Sequence, residues 1–388
     1  MSVGVPPAHP EPFWPRTSPH FLACRRAVAA ALAESRGPAE GSAQSAGRAP
    51  LRIVVGLSGG ADSLALVAAL AAETGAWKRD ARNRDAWKQA PAVQVVAVCV
   101  DHGLQEGSGD VARQAAEHAR RWGIEAVVKR VRVTDNQGVG MEAAARAARY
   151  AALHEEATLS EEAALREEAT LREETPRETA ARENIASEIW VAHTGDDQAE
   201  TLLLNLLRGH ANAMAPRTGI LVRPLLGLRR ADTEGACAEL DISPWQDPHN
   251  EDLAYRRVAI RKDILPRLAK LIGGDAIGPV AQAANDIVAD NQELEAVLQT
   301  HLAESPHAPS QTDRSVLECA RVASLSEPLR RRAIRDFLHA HDAPVTREAM
   351  AEIDALCTNW KGQGPVALGG RLEVKRVGGT LCCSRVES

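Results

Sequence analysis

The stretch Arg52–Ser63, RIVVGLSGGADS, passes from an apolar segment into two glycines, two serines and a carboxylate, and LALVAALAAE (64–73) follows it. A β-branched apolar run closed by glycines and followed by an alanine- and leucine-rich run predicts a buried strand, a tight turn and a helix over 62–74. Gly59 and Gly60 let the backbone turn sharply and approach an anion closely. Ser58 and Ser63 supply hydroxyl donors, and the helix directs its free N–H groups at the same place. The loop therefore suits a phosphate or pyrophosphate. It has no lysine in the GxxxxGK[ST] arrangement, which disfavours γ-phosphate transfer assisted by a loop lysine. Asp62 instead offers a carboxylate for Mg²⁺. The competing explanation is an ordinary glycine-rich turn whose Asp or Ser caps the helix.

Working outward, short apolar runs recur at VQVVAVCV (93–100), AVVKRVRV (126–133), IWVAH (189–193) and ILVRPLL (220–226), separated by helix-like stretches. This is the pattern of an α/β fold with a doubly wound, mostly parallel sheet buried on both faces. From Arg229 onward helical patterns dominate, at roughly 231–240, 254–272, 276–303, 324–341 and 346–357. The last residues alternate and turn on Gly369-Gly370 and Gly378-Gly379, predicting two or three terminal strands. The expected organisation is a flexible leader over 1–50, a nucleotide-type domain over 51–227, a helical linker over 228–275 and a helical second domain over 276–388 with short C-terminal strands.

At 388 residues the chain has room for two or three units and a sizeable core. No run of 18 apolar residues occurs, and prolines interrupt the N-terminal stretch where a signal peptide needs an apolar centre. A soluble, cytoplasmic protein with no membrane association is expected. The seven cysteines are scattered without a CxxC pair, which argues against a disulfide framework or zinc ribbon. The net charge of −6 is uneven: residues 155–188 hold eleven Glu and four Arg, while residues 1–154 are net basic. A nucleic-acid partner is thus permitted. Within 155–188, EEATLS, EEAALR and EEATLR repeat every six residues, so Leu159, Leu165 and Leu171 form no stripe on a helix. A solvated helical or disordered insertion without a catalytic role is expected.

Four further motifs carry chemistry. VAHTGDDQAETLLLNLLRG (191–209) runs from a strand into a helix and gathers His193, Asp196, Asp197 and Glu200 at the strand's carboxyl end, where open α/β sheets place their ligands. Such a cluster repels itself unless a metal, an ammonium group or a proton sits among the carboxylates. Helix-capping acids explain one or two of these residues, but not all four. Asp101-His102-Gly103-Leu104 ends the second strand, though a simple turn accounts for it equally well. Arg146 and Arg149 in MEAAARAARY (141–150) lie at i,i+3, suited to phosphate or carboxylate, although a solvated basic face is the commoner cause. PWQDPHNEDLAYRRVAIRKDILPRL (244–268) places Arg256, Arg257, Arg261, Lys262 and Arg267 along a helix, a strip suited either to RNA phosphates or to solvent. Arg330, Arg331, Arg332 and Arg335 form a second basic cluster with the same two readings.

SGGADS (58–63), DHGL (101–104), EAAARAARY (142–150), AHTGDDQAET (192–201), RPLL (223–226) and DPHNED…R (247–256) together resemble the PP-loop family of ATP pyrophosphatases, and within it the tRNA(Ile)-lysidine synthetases. The resemblance spans about 50–268 and is looser beyond 275. It implies an ATP-dependent ligase with Mg²⁺, acting on tRNA(Ile) with a CAU anticodon and on free L-lysine, with no other protein required. The C2 oxygen of cytidine 34 attacks the α-phosphate and releases pyrophosphate; the lysine ε-amine then displaces AMP, so that the tRNA reads AUA. ATP binding then falls to Ser58, Gly59, Gly60, Ala61, Asp62, Ser63 and His102, with Asp62 also the Mg²⁺ ligand. Catalysis falls to Asp62, His193, Asp196, Asp197 and Glu200, in roles the motifs leave interchangeable. Contact with lysine or tRNA falls to Arg146, Arg149, Asn250, Arg256 and Arg261. Two features depart from the family: the acidic insertion, and a C-terminal region shorter than some relatives carry.

Two other readings share the fold. A tRNA thiolase adenylates a base and then inserts sulfur, but needs sulfur-carrying cysteines or an iron–sulfur cluster near the loop. A non-catalytic adenine-nucleotide-binding module has no use for the carboxylates at 196–200.

Overall fold

The computed structural model describes residues 18–37, 51–75, 93–103, 107–133, 141–170, 186–303 and 316–386. They fall into two compact units, Met1–Asn285 and Asp286–Ser388. Among them no helix is long and apolar enough to cross a membrane.

The first unit begins with α1 (Pro19–Arg36), then alternates β1 (Leu51–Gly56), α2 (Ala61–Glu73), β2 (Val93–Asp101), α3 (Ser108–Arg121), β3 (Glu125–Arg130), α4 (Met141–Thr170), β4 (Ala186–Trp190) and α5 (Gly195–Leu206). Two-residue strands β5 (Arg217–Thr218) and β6 (Leu221–Val222), then α6 (Arg230–Glu239), complete the sheet region. The strand order is β3-β2-β1-β4-β6-β5, parallel except for β5 against β6. Alternation along the strands separates two buried faces. Ile53, Val55, Val95, Ala97 and Cys99 pack with residues of α1, α2, α3 and α6, whereas Val54, Val96, Val98 and Ile189 pack against Leu153 and Ala157 of α4. Each large side chain so buried contributes about 1.5–3 kcal/mol. This is the doubly wound sheet the apolar runs predict.

Three expectations need correction. Part of the presumed leader is α1, whose Phe21, Cys24, Val28, Ala31 and Leu32 join the main core. It is fastened by Phe21 N–H donating to Glu239 (2.8 Å), by Arg25 on Glu73 (2.6 Å) and by Ser35 on Glu188 (2.8 Å). The acidic insertion is narrower than 155–188. Ala157 is core, Glu156 pairs with Arg52 and Lys129, and Glu188 lies in β4 accepting from Trp190 Nε1. The helix α4 extends into the repeat, while residues 171–185 lie outside the described residues. The run ILVRPLL supplies only two strand residues, since Pro224 has no N–H to continue a ladder.

Beyond α6 come a single 3₁₀ turn (Pro248–Glu251), α7 (Arg256–Ala259), a π-helical turn (Ile260–Ile264), α8 (Leu265–Ile272) and α9 (Ile277–Ala303), which spans the unit boundary. The second unit holds β7 (Leu317–Glu318), α10 (Cys319–Ser324), α11 (Glu327–Ala340), α12 (Arg347–Thr358), β8 (Val366–Ala367), β9 (Leu372–Val377) and β10 (Thr380–Arg385). Its antiparallel sheet runs β7-β10-β9-β8 around Ile334, Phe337, Ile353, Leu356, Val374 and Leu381. The three terminal strands match expectation; β7, only two residues long, has no sequence signal.

In the first unit the chain proceeds from β1 outward to β3, then crosses back to β4 on the other side of β1. A crevice therefore opens at the carboxyl ends of β1 and β4, the switch point where such sheets bind ligands.

Candidate active site

On the β1 side of this crevice stands the SGGADS loop. Gly59 has φ +85°, a left-handed conformation that a side chain disfavours, and a Cβ there would lie 3.3 Å from Val111. Its carbonyl accepts from Trp245 N–H at 2.9 Å. Ser63 Oγ is buried within the turn, accepting from Ser58 N–H (3.1 Å) and donating to the Gly60 carbonyl (3.0 Å). Ser63 thus shapes the loop, whereas Ser58 is exposed. No side chain caps α2 at Gly60, so the first N–H groups of the helix, from Ala61 on, face the crevice with an anion-binding polarity. The cradle fits a polyphosphate.

Asp62 lies on the first turn of α2. Its Oδ1 accepts from Thr233 Oγ1 of α6 and its Oδ2 lies 3.9 Å from Arg230 Nε. Burial pushes this carboxyl up to about 6, against the lowering effect of the Thr233 hydrogen bond. One such carboxylate, together with phosphate oxygens, is the usual ligand set of Mg²⁺, so Asp62 fits that role.

From the β4 side come the other acids. Gly195 opens α5 with its N–H on the Leu228 carbonyl (2.6 Å), an approach so close that a Cβ would sit 3.1 Å from that oxygen. Asp197 Oδ2 accepts from Thr194 N–H (2.9 Å) and Thr194 Oγ1 (3.0 Å), which closes a capping box. Asp196 Oδ2 accepts from Arg230 N–H (2.8 Å) and Arg229 Nε (3.0 Å). Glu200, 0% exposed, is gripped by Arg261 through two contacts, 2.7 and 3.2 Å. Arg230 Nη2 reaches both Asp197 (3.2 Å) and Glu200 (3.4 Å).

The cation among these carboxylates is therefore a guanidinium of the chain itself. The motif by itself calls for a metal, an ammonium substrate or a proton there. Instead Arg230 bridges Asp62, Asp197 and Glu200, and among the described residues no group of three or more His, Cys, Asp or Glu is disposed to hold a metal. Capping explains more of the cluster than the motif suggested, because Asp197 closes the helix and Asp196 ties it to α6. Burial raises the Asp197 pKa, but Arg230, His193 and the Thr194 N–H outweigh it and leave the group below the carboxylate range.

His193 stands beside Asp197 with its Nδ1 buried and unpartnered. Burial drives its pKa down; Asp197 opposes this, while Arg146, Arg223 and Arg257 reinforce it, so the imidazole is neutral at pH 7. At the end of β2, both ring nitrogens of His102 are likewise without partners, and burial together with Arg149 lowers its pKa against Asp101. Asp101 itself is engaged with Gly103 N–H (3.0 Å) and Ser108 Oγ (2.6 Å), while Leu104 lies outside the described residues. On α4, Arg146 lies 5.1 Å from the centre of the Tyr150 ring and donates to its hydroxyl, and Arg149 is exposed.

The basic strip divides. Arg257 donates to Thr201 (2.7 Å) and Arg261 to Glu200, so both turn inward on α5, with the π-helical turn between α7 and α8 accommodating Arg261. Asn250 and Arg256 are exposed. The cluster on α11 is paired: Arg330 with Asp354 (2.7 Å), Arg331 with Glu327 (2.6 Å), Arg332 with Asn291 (2.5 Å) and Arg335 with Asp336 (3.3 Å). Each of these arginines thus has a partner within the chain. Sequence reasoning overlooked Arg229, Arg230 and Thr233. The signal was the pair of arginines directly after RPLL, at the point where the strand pattern stops.

A model of the PP-loop domain matches residues 40–166 and 170–268, and a model of the TilS substrate binding domain matches residues 317–382. The tRNA(Ile)-lysidine synthase of Corynebacterium glutamicum is 40% identical over 376 residues, covering 95% of this chain and 96% of its own. That of Corynebacterium diphtheriae is 41% identical over 372 residues (96% and 99%), and that of Leifsonia xyli 38% over 366 residues (91% and 97%).

Proposed function

Because the chain belongs to the tRNA(Ile)-lysidine synthase family, we propose that it joins free L-lysine to C2 of cytidine 34 in the CAU anticodon of tRNA(Ile), consuming ATP with Mg²⁺ and releasing AMP and pyrophosphate. It is a ligase, and lysidine on tRNA(Ile) is its product. Work on tRNA is consistent with a cytoplasmic enzyme.

In the first step the C2 oxygen of the cytosine attacks the α-phosphate and the bond to the β-phosphate breaks. Negative charge then develops on pyrophosphate, where the Gly59–Ser63 loop and the α2 N-terminus offer preorganised N–H donors. Asp62 would hold Mg²⁺, which when bound would supply charge neutralisation for the departing pyrophosphate. His102 serves the nucleotide, Arg146 and Arg149 are suited to contact with lysine or tRNA, and exposed Asn250 and Arg256 are suited to the anticodon loop.

In the second step the ε-amine of lysine attacks C2, AMP leaves, and one proton must be lost from nitrogen. His193 is neutral with an unpartnered Nδ1 that can accept a hydrogen bond from the amine, but burial makes it a weak base, so it assists while a carboxylate beside the amine takes the proton. Asp197 and Glu200 supply negative charge for the lysine ammonium groups, sharing Arg230 as resident counterion. Asp196 and Arg261 act as positioning residues. The observation that carries this reading is Arg230 itself: one guanidinium joins Asp62 of the pyrophosphate cradle to Asp197 and Glu200, so the nucleotide and amine sites adjoin.

The thiolase alternative loses to this reading. The three relatives compared are lysidine synthases, and Cys99 is wholly buried in β2 with its thiol pushed up to about 12 by burial. The test is nucleotide turnover: AMP formation should require both lysine and CAU-anticodon tRNA(Ile). AMP release with any amino acid, or undiminished when cytidine 34 is replaced, would overturn the assignment.

A further inference from the structure

Trp360 follows α12 and is 41% exposed, the one exposed tryptophan among the described residues. An indole in water is costly, and the surrounding structure holds this one in place. The Gln363 side chain accepts from Lys361 N–H (2.5 Å) and donates to the Asn359 carbonyl (2.7 Å), bracing the loop on both sides of Trp360. Beneath the ring, the Arg376 guanidinium of β9 lies 5.4 Å from its centroid and is itself pinned by donating to the Leu356 carbonyl (2.9 Å). One side of the ring is thus backed by a fixed cation while the side chain stays open to solvent.

The segment that begins at Trp360 is basic. Residues 360–386 carry Lys361, Arg371, Lys375, Arg376 and Arg385 against a single acid, Glu373, in a protein of net charge −6. Lys361 and Arg371 are exposed and have no acidic partner among the contacts of the described residues. A preorganised aromatic face backed by arginine, with a free cation beside it, is how proteins hold an unpaired nucleotide: the base stacks and an adjoining phosphate meets the cation.

We propose that Trp360, backed by Arg376 and flanked by Lys361, is a stacking platform for an unpaired base of the substrate tRNA. This rests on the reading of the chain as a tRNA-modifying ligase and adds to it a defined contact in the second unit. The base stacks on the ring, and Lys361 meets an adjoining phosphate.

The test uses the full-length chain and CAU-anticodon tRNA(Ile). Trp360→Ala should weaken tRNA binding about 10-fold and raise the KM for tRNA accordingly, with the KM values for ATP and lysine unmoved, while Trp360→Phe keeps most of the affinity. Lys361→Gln should instead lower the salt dependence of binding by about one counterion. Circular dichroism and thermal melting check that each variant is folded. Unchanged tRNA affinity in folded Trp360→Ala overturns the platform and leaves the patch to a protein partner. A wild-type chain that makes no lysidine overturns the underlying reading instead, so the two failures are distinguishable.

Discussion

At the scale of single residues, Asp62 carries a cost that function explains. Its folded-state pKa is raised from 3.8 to about 6 by burial, despite the Thr233 hydrogen bond. The folded chain therefore binds this proton more tightly than the unfolded one. Asp62 accordingly favours folding most at low pH; that contribution falls as pH rises from about 4 to about 6 and is flat above. Asp62→Asn removes the ionisation, so the variant should be more stable than wild type at pH 8 by at most about 3 kcal/mol, the gap closing at pH 4. Adenylation should be lost in the same protein. Urea melts at the two pH values, read beside pyrophosphate release, check both halves; equal stability at pH 8 would mean that the carboxylate is not desolvated. The acids of AHTGDDQAET were legible from sequence because they crowd one turn of one helix. Their partners were not: Arg230 and Arg261 lie 30 and 61 residues from Glu200, and only the fold brings them back.

At the scale of elements, strands were legible where both faces are buried, since β1, β2 and β4 then read as unbroken apolar runs. The helix α1 was hidden by its setting in a proline-, alanine- and serine-rich stretch, although Phe21, Cys24, Val28 and Leu32 recur at helical spacing. The proline-rich setting masks that period. The helix nonetheless completes the core, closing over α2 and α6 with Phe21 2% exposed. Phe21→Ala should cost about 3–5 kcal/mol, measured as a shift of the urea midpoint. A midpoint within experimental error of wild type would restore the view of this region as a dispensable leader. Because α6 carries Arg230 and Thr233 into the site, the same loss should raise the KM for ATP.

At the scale of the whole molecule, charge is sorted by segment. The basic segment after Trp360 and the exposed Arg256 are each suited to a polyanionic substrate, yet the chain as a whole is acidic because of the repeat between Glu155 and Glu188. The structure sharpens what is separable there: Glu156 and Ala157 on one side and Glu188 on the other belong to the folded unit, so the removable part lies between them. A flexible linker replacing residues 161–183 removes eight Glu and four Arg, which moves the net charge from −6 to −2. Like charge repels tRNA over a Debye length, about 10 Å at 0.1 M salt. The shortened protein should therefore bind tRNA a few-fold more tightly at low salt, with the difference vanishing near 1 M, and should keep its turnover within about 2-fold, since leucines spaced by six residues form no helical stripe. Loss of lysidine formation in a variant that melts like wild type would show instead that the repeat takes part in catalysis.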